Sequence, residues 1–428
     1  MTDQTAAALS VAGSAVLDLS ISSTDRAVLR RLAAEVAELA ARPPEAEKRE
    51  LWYQHNALAP TRPLVFCDPE NGWNEIIRQR DLECVGELAR TWEMRLRKEV
   101  FWGADMRDDR VVEGIFVVPY VFEESDWGLH ETKHGGEDGG SYVWDAPVRS
   151  YADDLPRLRF PTIAVDRAAT ARMVATAEEI FGDLLDVQLR GSWWWSLGMT
   201  WTLIRLRGLE QFMLDMLDDP EGLHRIKALL RDGNLARLDF LEKSGLLSLN
   251  NDGTYVGSGG FGWSRELPAP GFAGTVRPID MWGFGESQET VGVSPAMFGE
   301  FVLPYQLPLL ERFGLNCYGC CEPLDKRWDY VARIPRLRRV SVSAWANVHD
   351  MAERLGDRYI FSWKPRPADL ASPHFDEDAV RAYVRDMLRT TRDCRVEVIM
   401  KDNHTIGNDP RRVVRWVEIV REESEGLT

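Results

Sequence analysis

Cys317, Cys320 and Cys321 fall within five consecutive positions, and Glu322 follows at once. Thiolates are soft donors; joined by an imidazole they suit Zn²⁺, and a tetrahedral site with one open position is a catalytic one. His404 is the best-placed imidazole, so the candidate metal set is Cys320, Cys321, Glu322 and His404. The plain alternative is that these cysteines pack as small apolar groups and that His404 is a hydrogen-bonded structural residue. Glu286 and Glu289 are candidate general acids or bases, because a carboxyl in an apolar, tryptophan-lined surround keeps its proton to higher pH. Tyr318, Lys364 and Asp402 join them as groups that would position a substrate or move protons, although solvation at the surface is the ordinary fate of such charged side chains. Ser192-Trp193-Trp194-Trp195-Ser196 concentrates aromatic surface that would either wall the pocket of a flat ligand or fill core. The remaining histidines carry no partner pattern: His55, His224, His349 and His374 read as solvent-facing, and Gly135-Gly136 argues against a helix that would pair His130 with His134.

These residues need a frame, and the hydrophobic pattern supplies one. Short apolar or β-branched runs at Leu64–Cys67, Asp186–Leu189, Leu246–Asn250, Ile279–Trp282, Gly314–Tyr318, Arg339–Ser343, Tyr359–Ser362 and Val396–Met400 alternate with longer runs of helical spacing. Eight strands, each followed by a helix, is the arithmetic of an α/β (β/α)8 TIM barrel. A doubly wound open sheet is the rival, but no G-x-G-x-x-G follows the first strand. Residues 1–60 read as a helical N-terminal extension, with Thr24 and Asp25 as capping oxygens and Arg42-Pro43-Pro44 as its stop. Residues 61–428 then form the barrel, interrupted at about 105–150 by a β-rich insertion after the first strand. That insertion holds Ile115–Phe122, the glycine and acid stretch Gly135–Gly140 and Ser141-Tyr142-Val143-Trp144, and reads as a lid or an oligomer contact.

In such barrels active sites lie at the C-terminal ends of the strands. Glu286 to Glu289 follow the fourth run and Cys320 to Glu322 the fifth, Lys364 follows the seventh, and Lys401-Asp402-Asn403-His404 follow the eighth. Side-chain alternation puts Tyr318 and Cys320 in one direction and Cys317 in the other. Polar groups and thiols thus gather at one rim.

Composition narrows the class. With 52 Lys+Arg against 68 Asp+Glu, the chain of 428 residues carries a formal charge of −16, which disfavours nucleic acid as a partner. No apolar run approaches the length of a membrane span. Met1 to Ser20 is Ala-rich, but Asp3 comes early and no Lys or Arg precedes the apolar stretch, so a cytoplasmic protein is expected. In such a compartment six cysteines are reactive, metal-binding or packed rather than disulfide-bonded.

At Trp282…Glu286-Ser287-Gln288-Glu289, Pro304-Tyr305 and Phe313-Gly314-Leu315-Asn316-Cys317-Tyr318-Gly319-Cys320-Cys321-Glu322-Pro323-Leu324, the chain resembles the uroporphyrinogen decarboxylase superfamily of (β/α)8 barrels. Arg207-Gly208-Leu209-Glu210 with Asp219-Pro220-Glu221 resembles that family's helix pair after the central strands. The resemblance runs from about Leu64 to the C-terminus and is closest to the corrinoid-linked, zinc-dependent methyltransferase branch. It implies Zn as cofactor, methylcobalamin or another corrinoid as methyl carrier, held on a separate corrinoid protein, and a small-molecule substrate. In that branch a His-x-Cys and a final Cys hold the metal. Here Cys320 matches, Tyr318 replaces the His, and His404 stands near the last ligand. The family's arginine-rich porphyrinogen clamp is replaced by Phe66-Cys67-Asp68-Pro69-Glu70-Asn71-Gly72-Trp73, whose acids would repel a many-carboxylate tetrapyrrole. Metal-assisted methyl transfer is therefore the leading expectation. The alternatives are a decarboxylase or lyase for another small acid, working through Asp402 or Lys364, and a non-catalytic metal- or ligand-binding barrel. Barrels of this family are often homodimers, so a homodimer is an assembly the resemblance allows.

Overall fold

The computed structural model describes residues 18–135 and 142–426. Most of the Ala-rich lead-in and nearly all of Gly135–Gly140 lie outside them. The first helix, Ser23–Ala40, is capped by Ser22, whose hydroxyl accepts the Asp25 amide, rather than by Thr24 or Asp25. The Asp25 carboxylate instead accepts the Val85 and Gly86 amides. Arg42-Pro43-Pro44 stops this helix as expected and also starts the next, Pro43–Asn56, because proline at the first helical positions costs no hydrogen bond.

Twelve strands are defined among the described residues: β1 Leu64–Cys67, β2 Ile115–Pro119, β3 Phe122–Glu124, β4 Thr132–Gly135, β5 Tyr142–Asp145, β6 Ile163–Val165, β7 Asp186–Arg190, β8 Trp282–Gly285, β9 Leu315–Tyr318, β10 Leu337–Val342, β11 Ile360–Trp363 and β12 Arg395–Met400. Six of them form one parallel sheet in the order β1-β12-β11-β10-β9-β8. β2 and β7 form a separate parallel pair, while β3–β6 and β4–β5 are antiparallel. The fold is mixed α/β, but its backbone ladders do not make the continuous eight-strand ring expected from the pattern.

Side chains bridge the two joins. At one, Val65 N–H donates to Asp109 Oδ2 (2.7 Å) and Asp109 N–H to Val65 O (2.8 Å), ahead of β2. At the other, Leu246–Asn250 is not a strand: Ser248 Oγ accepts from Gly191 N (2.9 Å) beside β7, and the Asn250 amide exchanges two bonds with the Trp282 backbone (2.8 and 3.0 Å). Ile115–Pro119, expected inside the insertion, is the strand that pairs with β7. The insertion's β-rich character survives in the exposed β4–β5 hairpin. The expected Pro295–Phe313 helix is divided into Pro295–Phe301 and Leu303–Leu310, with Pro304 opening the second piece.

The large sheet is strongly curved. β9 and β12 are three strand spacings apart, roughly 14 Å on a flat sheet, yet Cys321 beyond β9 reaches Asp402 beyond β12 at 3.4 Å. A hairpin around Tyr255–Phe261 lies within the curve, with positive φ at Gly257 (72°), Gly259 (118°) and Gly260 (100°). A Cβ at Gly260 would stand 2.8 Å from Glu397 Oε1, and one at Gly257 2.9 Å from Cys317 Cβ, so backbone rather than side chain meets the strands. Against this hairpin, Arg339 Nε pairs with Glu397 Oε1 (2.9 Å) and His55 Nε2 with Glu397 Oε2 (3.3 Å). His55 is fully buried, not solvent-facing; burial holds its pKa down.

Burial works to raise the Glu397 pKa, but Arg339, His55 and Lys364 outweigh it and hold the carboxyl at about 2. A depressed carboxyl contributes stability that is complete above its unfolded value near 4.5 and is lost as pH falls toward 2. Glu397→Gln should therefore cost about 3–5 kcal/mol at neutral pH by leaving Arg339 buried and unpaired. Urea unfolding followed between pH 5 and about 2 should also show a shallower loss of stability with acid in the variant.

Candidate active site

Because the large sheet is parallel, all its strand C-termini lie along one edge, and curvature draws that edge together. β9 ends at Tyr318 and is followed by Gly319, whose φ of +93° breaks the side-chain alternation. Tyr318 and Cys320 consequently do not share a direction. Tyr318 is buried against Phe298 and donates its hydroxyl to Gln306 Oε1 (2.7 Å), while Cys320 meets Cys321 and Lys401.

Cys320 Sγ lies 3.5 Å from Cys321 Sγ and 3.8 Å from Lys401 Nζ. The Cys321 S–H lowers the Cys320 pKa most; burial opposes this, and the Lys401 charge lowers it further. Cys321 is pushed up by the same neighbour and by burial, so it is the thiol of the pair that keeps its proton. Its one proton faces Cys320 on one side and Asp402 Oδ2 on the other. Lys401 also approaches Asp402 Oδ1 (3.3 Å) and Glu70 Oε1 (3.7 Å). Burial would lower its pKa, but Cys320, Tyr255, Asp402 and Glu70 raise it well above the usual value, so it stays an ammonium. Glu70 is raised by burial to about 7, with Lys401 opposing and Asp402 and Asp68 adding to the rise. A thiol of lowered pKa, an ammonium and a carboxyl that titrates near neutrality thus share one rim.

The carboxylates expected at this edge take separate places. Glu286 is buried and accepts from Ser196 Oγ and Gln288 N (both 3.0 Å); burial, Glu289, Glu322 and Cys320 all raise its pKa well above the carboxylate range. Glu289 accepts from Thr200 Oγ1 at 2.5 Å. Glu322 ties two loops together, taking the Ser287 amide (2.7 Å) and the Cys320 amide (2.9 Å). Lys364 lies buried beneath the rim, donating to Ser362 Oγ (2.6 Å), and burial lowers its pKa to about 8. His404 is exposed and bonds Asn71 through Nδ1 (3.2 Å).

The four expected metal donors do not form one set. Cys320 and Cys321 are together, but Glu322 is spent on backbone amides and His404 faces Asn71. No group of three His, Cys, Asp or Glu side chains is arranged to hold a metal ion among the described residues. An ammonium already occupies the cation's place beside the Cys320 sulfur. The arrangement as it stands does not fit a tetrahedral zinc.

Beside Glu286 a cavity of about 290 Å³ opens, lined by Trp193, Trp194, Trp195 and Trp201 among others. Lys401 and Glu70 are the site residues that spacing does not single out. The one signal for Lys401 is its place directly after β12, and Glu70 enters only because β1 pairs with β12. No protein-family model matches the chain, and no curated protein matches it. The structure is similar to that of a methyltransferase from Methanosarcina mazei, with a TM-score of 0.46 and 12% identity over 88% of this chain and 97% of that one. So distant a likeness assigns neither fold nor chemistry. No helix of the described residues is long and apolar enough to cross a membrane.

Lys401→Met should raise the pKa of the Cys320 thiol by removing a cation from its side. Ultraviolet thiolate absorbance against pH, with Cys320→Ser as the subtraction, should show the lowest-pKa thiol move up. An unchanged titration would mean that Lys401 does not stabilise the thiolate.

Proposed function

We propose that the chain is an enzyme that transfers a methyl group from a small-molecule donor to a thiol, on a scaffold akin to the uroporphyrinogen decarboxylase superfamily. The observation that carries this reading is Cys320, a buried thiol of lowered pKa held between Cys321 and the Lys401 ammonium. With its pKa lowered, the Cys320 sulfur ionises more readily than an ordinary thiol and can then take a proton from an incoming thiol brought against it.

The acceptor thiol first gives its proton to the Cys320 thiolate, and Lys401 then offsets the negative charge on the acceptor sulfur. That sulfur attacks the methyl carbon of the donor in line with its leaving group. One S–C bond forms, the bond from methyl to leaving group breaks, and the leaving group departs with the bonding pair. Cys320 later returns its proton to water through Asp402 or Glu70. Where the leaving group needs a proton, Glu286 holds one. No metal enters this sequence, since the Lys401 charge does for the sulfur what a Lewis acid would do. The methyl donor is a free small molecule or the methylcobalamin of a separate corrinoid protein.

A second reading, loss of CO2 from a small acid, draws on Glu70, which holds a proton near pH 7 beside a cation able to seat a carboxylate.

Purified protein given methylcobalamin or small methylated donors, together with simple thiols, should form a thioether detectable by mass spectrometry. Cys320→Ser should slow this by roughly a hundredfold, and a chelator should leave the rate unchanged. CO2 release without thioether, full activity in Cys320→Ser, or activity lost to a chelator and restored by zinc would each overturn the reading.

A further inference from the structure

Five of the 16 tryptophans meet at the cavity beside Glu286: Trp127, Trp193, Trp194, Trp195 and Trp201. Trp193 is buried under the wall, against Phe122, and the other four are half-buried. A volume of about 290 Å³ suits a small ligand rather than a cofactor.

The polar groups around this wall are unevenly matched in charge. Arg237 is occupied by Glu124, with Nε 2.5 Å from Oε1, so that pair presents no net charge. Glu286, in contrast, is held only by hydroxyl and amide donors, Ser196 Oγ and Gln288 N. Glu289 stands next to it, bound to Thr200. Lys227, which does not line the cavity, interacts electrostatically with Glu286 and Glu289; it is fully buried, and its Nζ has no hydrogen-bond partner. The cavity therefore offers indole rings, the self-neutralising Arg237–Glu124 pair and a Glu286 carboxyl held toward its protonated form, with no unpaired cation on the wall itself. Indole faces attract cations through the ring quadrupole, and the effect grows when water is excluded. An anion would find no unpaired cation on the wall, and a neutral ligand would gain nothing from the ring quadrupoles.

We infer that this cavity binds a methylated ammonium cation, and that this cation is the methyl donor of the transfer proposed above. The inference rests on that reading for the donor's role, while the binding itself stands apart from it. The chemistry balances without a further reactant. The acceptor thiolate attacks one N-methyl carbon, the S–C bond forms, and the C–N bond breaks with its pair going to nitrogen. The amine leaves neutral and needs no proton. The loss of its positive charge also removes its attraction to the indoles, which favours release of product over donor.

Calorimetric titration of the full chain with choline, and with dimethylbutanol as its neutral carbon isostere, tests the inference. Choline should bind saturably and at least about tenfold more tightly than the isostere. Trp195→Leu and Trp201→Leu, each checked for folding by circular dichroism, should each cut the preference for choline several-fold. Cys320→Ser should bind choline as the parent does, because that residue serves the transfer and not the cavity. Equal binding of choline and isostere, or no binding of choline, would overturn the inference even if thioether forms from methylcobalamin. Choline binding with the expected preference but without methyl loss to any thiol would uphold the cavity and sink the transfer.

Discussion

The buried contact of Arg339 with Glu397 and His55 is the constraint around which the site is arranged. It joins β10, β12 and the end of the Pro43–Asn56 helix across the concave side of the large sheet. Removing such charges from water is expensive, and they persist only when each is paired and its remaining donors are met. Arg339 is further held by Asn56 Oδ1 (2.7 Å), by Cys317 Sγ (3.5 Å) and by lying over the Trp282 ring, while its Nε meets Glu397 as an ion pair without hydrogen-bond geometry. A pair so specific in geometry fixes the spacing of the strands. Those strands in turn fix where Cys320, Lys364 and Lys401 emerge.

The same logic recurs at the rim, with the opposite outcome. There the charges are close but incompletely matched: one ammonium serves a thiolate, Asp402 and Glu70 together. An arrangement short of one positive charge is poor as a stabilising device and suited to moving protons, since small changes in surroundings decide which group is ionised. Structure and reactivity thus divide along the strands, with the closely paired network beneath the rim and the incompletely matched one upon it.

Much of this was legible in the residues. Runs with clear boundaries, such as Leu64–Cys67 and the strands from β9 onward, form where the apolar pattern puts them. Leu246–Asn250 misleads because Ser248 and Asn250 satisfy neighbouring backbone with their side chains, which apolar periodicity cannot register. Ile115–Pro119 is the converse: its pairing with β7 depends on a partner about 70 residues away. Strand-end placement correctly gathered Cys320, Cys321 and Asp402. It misjudged Tyr318, because a single positive φ at Gly319 turns Cys320 away from it, and His404, because the loop carries it outward. Which residues lie near one another is written in the order of strands. Which of them face one another depends on a few dihedral angles that no spacing reveals.

The glycine hairpin bears on access as well as on structure. Its backbone stands so near Cys317, Ile399, Glu397 and Arg339 that not even a methyl group fits between. The inside of the curve is therefore stoppered by backbone, and no ligand lodges between this hairpin and the strands it covers. A methyl-transfer cycle of the kind proposed would then bind and release its reactants among the loops beyond the strand ends rather than through the curve.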